Sequence, residues 1–220
     1  MTLEDLPETM KQHLAKKTVR DKTYADHRFG VTELLGCDRK LWFRRRLPKP
    51  ISLNMMYIFN RGMLWDTEYT EIYERNQVRV THRVPNSPVV ISGRLDFIDD
   101  DGAVTDLKTT ENLYFIRKNG AKPDNVSQVL FYCWCEGIDK ARLIYMTLSD
   151  AETVDVDATY ERQVENLERL EKRALASYDN LQHDAPPMMD DLHAPDYWEC
   201  CYKKAGREVK CEYFSECHGG

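Results

Sequence analysis

The stretch from residue 77 to 110 constrains the fold most. It reads QVRVTHRV, a Pro-Asn-Ser-Pro turn, VVISGRLDFI, an Asp-Asp-Asp-Gly turn, then AVTDLKTT. Period-two alternation broken by turn residues predicts three consecutive strands, read as an antiparallel meander. The flanking segments supply helices. A polar helix over residues 4–17 leads into a linker. Thr32 caps a helix through TELLGCDRKLWFRRRL that buries Leu34, Leu35, Leu41 and Trp42 and stops at Pro-Lys-Pro. A second helix covers 53–76, with Met56, Phe59, Met63, Leu64, Tyr69 and Ile72 among its apolar positions. Helices are also predicted over 124–138 and 158–181, with a strand ARLIYMTL between them and TVDVDA beside it. This order predicts an α/β fold with a mixed central sheet flanked by helices.

Composition bounds the function. The chain has 220 residues, 42% hydrophobic and 31% charged, as expected of a globular protein. The longest apolar run, VLFYCWC, is far too short for a membrane span. The N-terminal segment is charged and lacks an apolar signal core, so a cytoplasmic location and no membrane partner are expected. A net charge of -6 argues against a general polyanion binder but leaves room for a local basic patch. Seven cysteines are many for a reducing compartment, where clustered thiols more often bind metal than form disulfides.

The second and third strands carry charge where a half-buried sheet should carry apolar side chains. Asp106 and Lys108 share one strand face, with Leu107 on the other, and Asp96 can lie beside them across the hairpin. Two carboxylates and an ammonium on one sheet face suit a divalent cation such as Mg²⁺ or Mn²⁺, which prefers oxygen ligands. Such a cation activates water and neutralises phosphate charge, and the lysine adds a point charge or positions the water. The competing reading is a surface hairpin with an ordinary ion pair. Asp99, Asp100 and Asp101 read as a solvated turn. On the helix that follows, Gln128 and Tyr132 are four apart and share a face. They suit a nucleic-acid backbone or a buttress for the site.

The order Gly-Arg-Leu-Asp, then Asp-x-Lys, then Gln-x-x-x-Tyr resembles the RecB-like branch of the PD-(D/E)XK nuclease superfamily, whose core is restriction-endonuclease-like. The resemblance implies that Asp96 and Asp106 are metal carboxylates, joined by the Leu107 carbonyl. It makes Lys108 the catalytic lysine and Gln128 and Tyr132 the trailing helical motif. That branch carries a histidine four residues after an upstream glycine. Here Gly62 is present and Asp66 stands at the histidine position, where an oxygen ligand still suits a hard cation.

The cysteines carry a second resemblance, to RecB-like nucleases with a 4Fe-4S cluster. Those take one thiolate before the nuclease core and three after it, ending C-x5-C. Cys37, Cys200, Cys211 and Cys217 match, with Cys201 the alternative to Cys200. The segment KKAGREVK between them reads as an inserted hairpin. A Cys₄ zinc site and thiols without a metal are the competing readings. Cys133 and Cys135 read as small core residues. The basic stretch Arg39–Arg46, with Trp42 and Phe43, suits single-stranded nucleic acid or, equally, a helix face with buried aromatics. The six histidines show no ligand spacing.

From about residue 30 to 217 the chain is similar to the CRISPR-associated Cas-four exonucleases. This implies three segments: residues 1–30, an N-terminal helix and linker; 31–185, the nuclease core; and 186–220, a cluster-binding tail. It also implies metal-dependent, mainly 5′ to 3′ cleavage of single-stranded DNA, trimming before spacer integration, and CRISPR integrase proteins as partners. Self-association into a homo-oligomer is left open. A recombination-repair or viral nuclease, and a DNA-binding module without catalysis, are the alternatives.

Overall fold

The computed structural model describes residues 6–18, 25–188, 201–204 and 207–218. Its helices are α1 (Glu8–Thr18), α2 (Asp38–Arg46), α3 (Leu53–Thr70), α4 (Tyr114–Asn119), α5 (Pro123–Glu136), α6 (Tyr160–Leu181) and α7 (Phe214–His218). Its strands are β1 (Arg28–Gly30), β2 (Arg79–Arg83), β3 (Val90–Arg94), β4 (Phe97–Ile98), β5 (Val104–Thr109), β6 (Lys140–Met146), β7 (Ala151–Asp157), β8 (Cys201–Lys204) and β9 (Arg207–Lys210).

The strands form a mixed four-stranded sheet in the order β4-β5-β6-β7, a three-stranded sheet β1-β3-β2 and a β8-β9 hairpin. In the larger sheet only β5 and β6 run parallel, joined by the crossover that contains α4 and α5. The expected single meander is therefore corrected. β2 pairs with β3 and β4 with β5, but the chain leaves one sheet after Arg94 and enters the other at Phe97. Leu95 and Asp96 span the crossing. There the Leu95 N–H donates to Val78 and the Gln77 N–H to the Asp96 carbonyl, at 3.0 and 2.7 Å. The second turn needs a left-handed residue, and Gly102 supplies it at φ +75°. Asp99 is not simply solvated. Its Oδ1 accepts from the Asp101 and Ala103 amides at 3.0 Å, and its Oδ2 pairs with Arg142 at 2.7 Å.

The apolar run of α5 is the centre of the core, with Val129, Phe131 and Cys133 inaccessible and packed among Ile91, Leu95, Leu143 and Leu170. Cys133 lies in the core as expected, and burial pushes its thiol up to about 12. Helix α6 lays its apolar stripe on α5, where Ser127 Oγ donates to Asn166 Oδ1 at 2.6 Å.

Two boundaries differ from the sequence reading. The helix expected from Thr32 starts at Asp38, with Cys37 as its N-cap residue. Before it, Val31–Glu33 form a 3-10 turn, and the Glu33 carboxylate bends back onto the Gly30 amide at 2.7 Å. Helix α3 ends at Thr70 and lies largely on the surface. Phe59, Leu64 and Tyr69, and Ile72 just beyond it, are exposed, and α1 is its main helical neighbour. β1 and α4 gave too short a pattern to be read. The inserted hairpin expected at KKAGREVK is present as β8 and β9. No described helix is long and apolar enough to cross a membrane.

Candidate active site

The break between the two sheets is what creates the site. β4 covers only the first part of β5, pairing Phe97 with Thr105 and Ile98 with Val104. Past its end, the edge of β5 faces Asp96 instead of another strand. The Leu107 N–H donates to Asp96 Oδ2 at 2.7 Å. A strand residue directs its N–H and C=O to the same edge, so the Leu107 carbonyl shares this edge with Asp96. Asp106 and Lys108 flank Leu107 and lie on the other side of the pleat, with Lys108 Nζ 2.5 Å from Asp106 Oδ2.

Behind the lysine runs a short buried chain of hydrogen bonds. Lys108 Nζ donates to Gln128 Oε1 at 2.8 Å, and Gln128 Nε2 donates to the Tyr132 hydroxyl at 2.7 Å. Both α5 residues are buried, so they back Lys108 instead of presenting themselves to a substrate strand. The Tyr132 ring lies directly over Gly93, where any Cβ would collide with Cε1. The glycine of Gly-Arg-Leu-Asp is thus fixed by the tyrosine of the trailing motif.

The electrostatics are those of crowded anions. Burial, then the charges of Asp106 and Asp66, push the Asp96 carboxyl well above the usual carboxylate range, against the opposing pull of Lys108 and the Leu107 amide. Burial works to lower the Lys108 ammonium, but the Asp106 carboxylate, with Asp96 behind it, outweighs burial and holds it above its ordinary value. Lys108 is therefore a standing positive charge. Burial likewise raises the Tyr132 phenol, with Asp106 adding to it, so this hydroxyl stays protonated.

Asp66 reaches the site from α3, but other groups hold it. Gln77 Nε2 donates to its Oδ1 at 2.9 Å, and Arg94 lies 3.4 Å from its Oδ2. Spacing did not reveal Gln77. It adopts a left-handed conformation (φ 51°), unusual outside glycine, and so ties Asp96 through its backbone and Asp66 through its side chain. Strain of this kind clusters where geometry is over-determined. Arg94 was legible only as a motif letter.

The donor set fits a divalent cation. Asp106 Oδ2 is buried and makes an ion pair with Lys108 but no hydrogen bond of good geometry. Three carboxylates lie close enough for two of them to raise the third. Among the described residues, no three His, Cys, Asp or Glu side chains are gathered tightly enough to enclose a metal ion by themselves. Asp96 is engaged by Leu107, Asp106 by Lys108 and Asp66 by Gln77.

Three of the four cysteines expected to act together fall at one place. Cys37, Cys211 and Cys217 line one small cavity with Lys40, Phe43, Tyr213, Phe214 and His218. Arg39 Nε donates to Cys217 Sγ at 3.0 Å. Phe43 stacks on Tyr213 with centroids 5.5 Å apart, and the Tyr213 hydroxyl donates to the Leu47 carbonyl at 3.1 Å. The His218 Nε2 is buried without a hydrogen-bond partner among the described residues. Cys200 lies outside the described residues, and Cys201 pairs with Lys210, next to Cys211. The basic stretch beside this cavity is engaged within the protein. Arg44 pairs with Glu212, Arg45 with Glu33 and Arg46 with Asp26, while Leu41, Trp42 and Phe43 are buried. This favours the buried-aromatic reading of that helix over a nucleic-acid face.

No family model and no curated protein matches the sequence. Among solved structures the chain is similar to an alkaline exonuclease, LHK-Exo, from Laribacter hongkongensis (9% identity, TM-score 0.45, covering 70% of this chain and 89% of that one). It is also similar to a phage-related exonuclease from Haemophilus somnus 129PT (12% identity, TM-score 0.44, covering 66% and 80%). Both likenesses are too distant to bear on the chemistry. A stronger one is to SSO0001, at 15% identity and a TM-score of 0.60 over 81% of this chain and 87% of that chain. What the chain shares with SSO0001 is its fold.

Proposed function

We propose that the protein is a metal-dependent nuclease that hydrolyses phosphodiester bonds in single-stranded DNA from an end. The observation that carries this reading is the meeting of Asp96, Asp106 and Lys108 at the open edge of β5, with Gln128 fixing the lysine. Asp96, Asp106 and the Leu107 carbonyl would hold Mg²⁺ or Mn²⁺, with Asp66 reaching it if Gln77 and Arg94 yield. When bound, the cation supplies charge neutralisation at the phosphate and acidifies water. Lys108, kept cationic by its carboxylate neighbours, stabilises the negative charge that grows on the phosphate oxygens as water attacks. Gln128 prevents the ammonium from swinging away, and Tyr132 in turn holds Gln128.

The finer parts of the reading draw on the motif resemblance: 5′ to 3′ polarity, trimming before spacer integration, integrase proteins as partners, and a cytoplasmic location. A 4Fe-4S cluster held by Cys37, Cys200, Cys211 and Cys217 is supported by the shared cavity of three of these thiols. When bound, such a cluster would supply a covalent clasp between α2 and the tail, with no redox step in hydrolysis.

A second reading, a DNA-binding module that does not cut, is favoured by the way Asp66 is tied to Gln77 and Arg94. End-labelled single-stranded DNA, incubated with anaerobically purified protein in Mn²⁺ or in EDTA, separates the two. Shortening only with Mn²⁺ supports the nuclease. Binding without shortening under any divalent cation supports the module.

A further inference from the structure

A cleft of about 400 Å³ opens at the C-terminal end of β5, immediately after Lys108. Its walls come from α3, the loop that follows β5 and the β6–β7 turn. Arg61 and Trp65 are four apart on α3 and share one helical face. Thr109 adjoins the catalytic lysine, and Met146 and Leu148 line the cleft from the turn. At Gly62, beside Arg61, α3 lies close to Thr109 without requiring a glycine. A Cβ there would sit 3.9 Å from Oγ1, in ordinary contact.

The two arginines of the cleft are in different states. Arg117 is neutralised by Asp150 and Glu152, which fixes it as part of the wall. Among the described residues no hydrogen bond or ion pair engages the Arg61 guanidinium or the Trp65 indole N–H. Trp65 is half-buried, and its only ring neighbour among the described residues, Tyr69, is tilted with its centroid 6.0 Å away. An uncommitted guanidinium beside an open indole face is the pairing that receives a nucleotide, cation to phosphate and base to ring. The cleft is at the small end of ligand-binding clefts, a size that suits one nucleotide and not a base pair.

We infer that this cleft takes the terminal nucleotide of a single DNA strand, with Trp65 stacking its base and Arg61 meeting its phosphate. Trp65 then selects for an unpaired end next to the bond to be cut. This rests on the nuclease reading, but it concerns binding and is tested without cleavage.

The test uses otherwise identical single strands carrying 2-aminopurine at the 5′ end, at the 3′ end or in the middle, titrated with the full-length protein in EDTA. Fluorescence quenching at one terminal position and not in the middle is expected. Trp65→Ala should abolish that quenching and weaken binding about tenfold, the scale of one base–aromatic stack, while Trp65→Phe retains most of both. An abasic terminal residue should weaken wild-type binding by a similar factor and leave Trp65→Ala indifferent. Equal quenching in the middle, or indifference of the wild-type protein to the abasic end, would overturn the inference. Failure of every preparation to cut DNA would count against the nuclease reading alone, since the abasic comparison is read from binding.

Discussion

Lys108, Asp96 and Gly93 each make a separate claim that can be checked at one residue. Lys108→Ala removes the ammonium facing two crowded carboxylates, so cleavage should fall by about 10²–10³-fold, the scale of losing one preorganised transition-state donor. The far-ultraviolet circular dichroism should stay unchanged. A fall of less than threefold would show that the lysine is structural. Asp96 carries a proton more tightly when folded than when unfolded. As pH rises from the ordinary carboxylate range toward that raised value, the unfolded chain loses its proton first and stability falls, levelling only once the folded group also ionises. Asp96→Asn should therefore be more stable than the wild type at pH 7 in EDTA, yet inactive. A lower urea midpoint would contradict the crowding. At Gly93, a methyl would enter the Tyr132 ring. Gly93→Ala should cost roughly 1–3 kcal/mol, as overpacking does, and should slow cleavage by disturbing the Gln128–Lys108 contact. Denaturation and initial rates measured on the same preparation check both.

At the scale of elements, the site exists because two strands stop early. β3 ends at Arg94 and β4 is two residues long, which leaves Asp96 free to take the Leu107 amide. The alternation of QVRVTHRV and AVTDLKTT was legible because it is local. So were the Asp106–Lys108 and Gln128–Tyr132 pairs, each defined by one period within one element. The crossing between sheets was not legible, because it depends on which partner each strand finds. Gln77, which it recruits, was missed for the same reason, and Arg94 was legible only as a motif letter. Helix α3 misled in another way. Its apolar residues promised burial, but Phe59, Leu64 and Tyr69 lie on the surface. The clasp between α2 and the tail is also an element-scale feature. Tyr213 is buried between Phe43 and Leu47. Tyr213→Ala should loosen the tail before the core, so limited proteolysis should cut after residue 186 while the α/β core persists. Simultaneous digestion of both would show that the tail is integral to the core.

At the scale of the molecule, a helix-covered mixed sheet positions two chemically distinct clusters. Oxygen donors and a lysine meet at the open edge of β5, and thiols meet between α2 and the tail. None of Asp96, Asp106 and Lys108 lines the thiol cavity, so loss of the proposed cluster should reduce stability more than it alters those groups. Asp96, Asp106 and Lys108 are proposed to form a metal-dependent cutting site. The most direct measurement is cleavage of end-labelled single-stranded DNA by wild type and Lys108→Ala, side by side, in Mn²⁺ and in EDTA. Shortening by the wild type in Mn²⁺ alone, and almost none by the variant, is expected. Equal shortening by both proteins, or shortening that persists in EDTA, would contradict it.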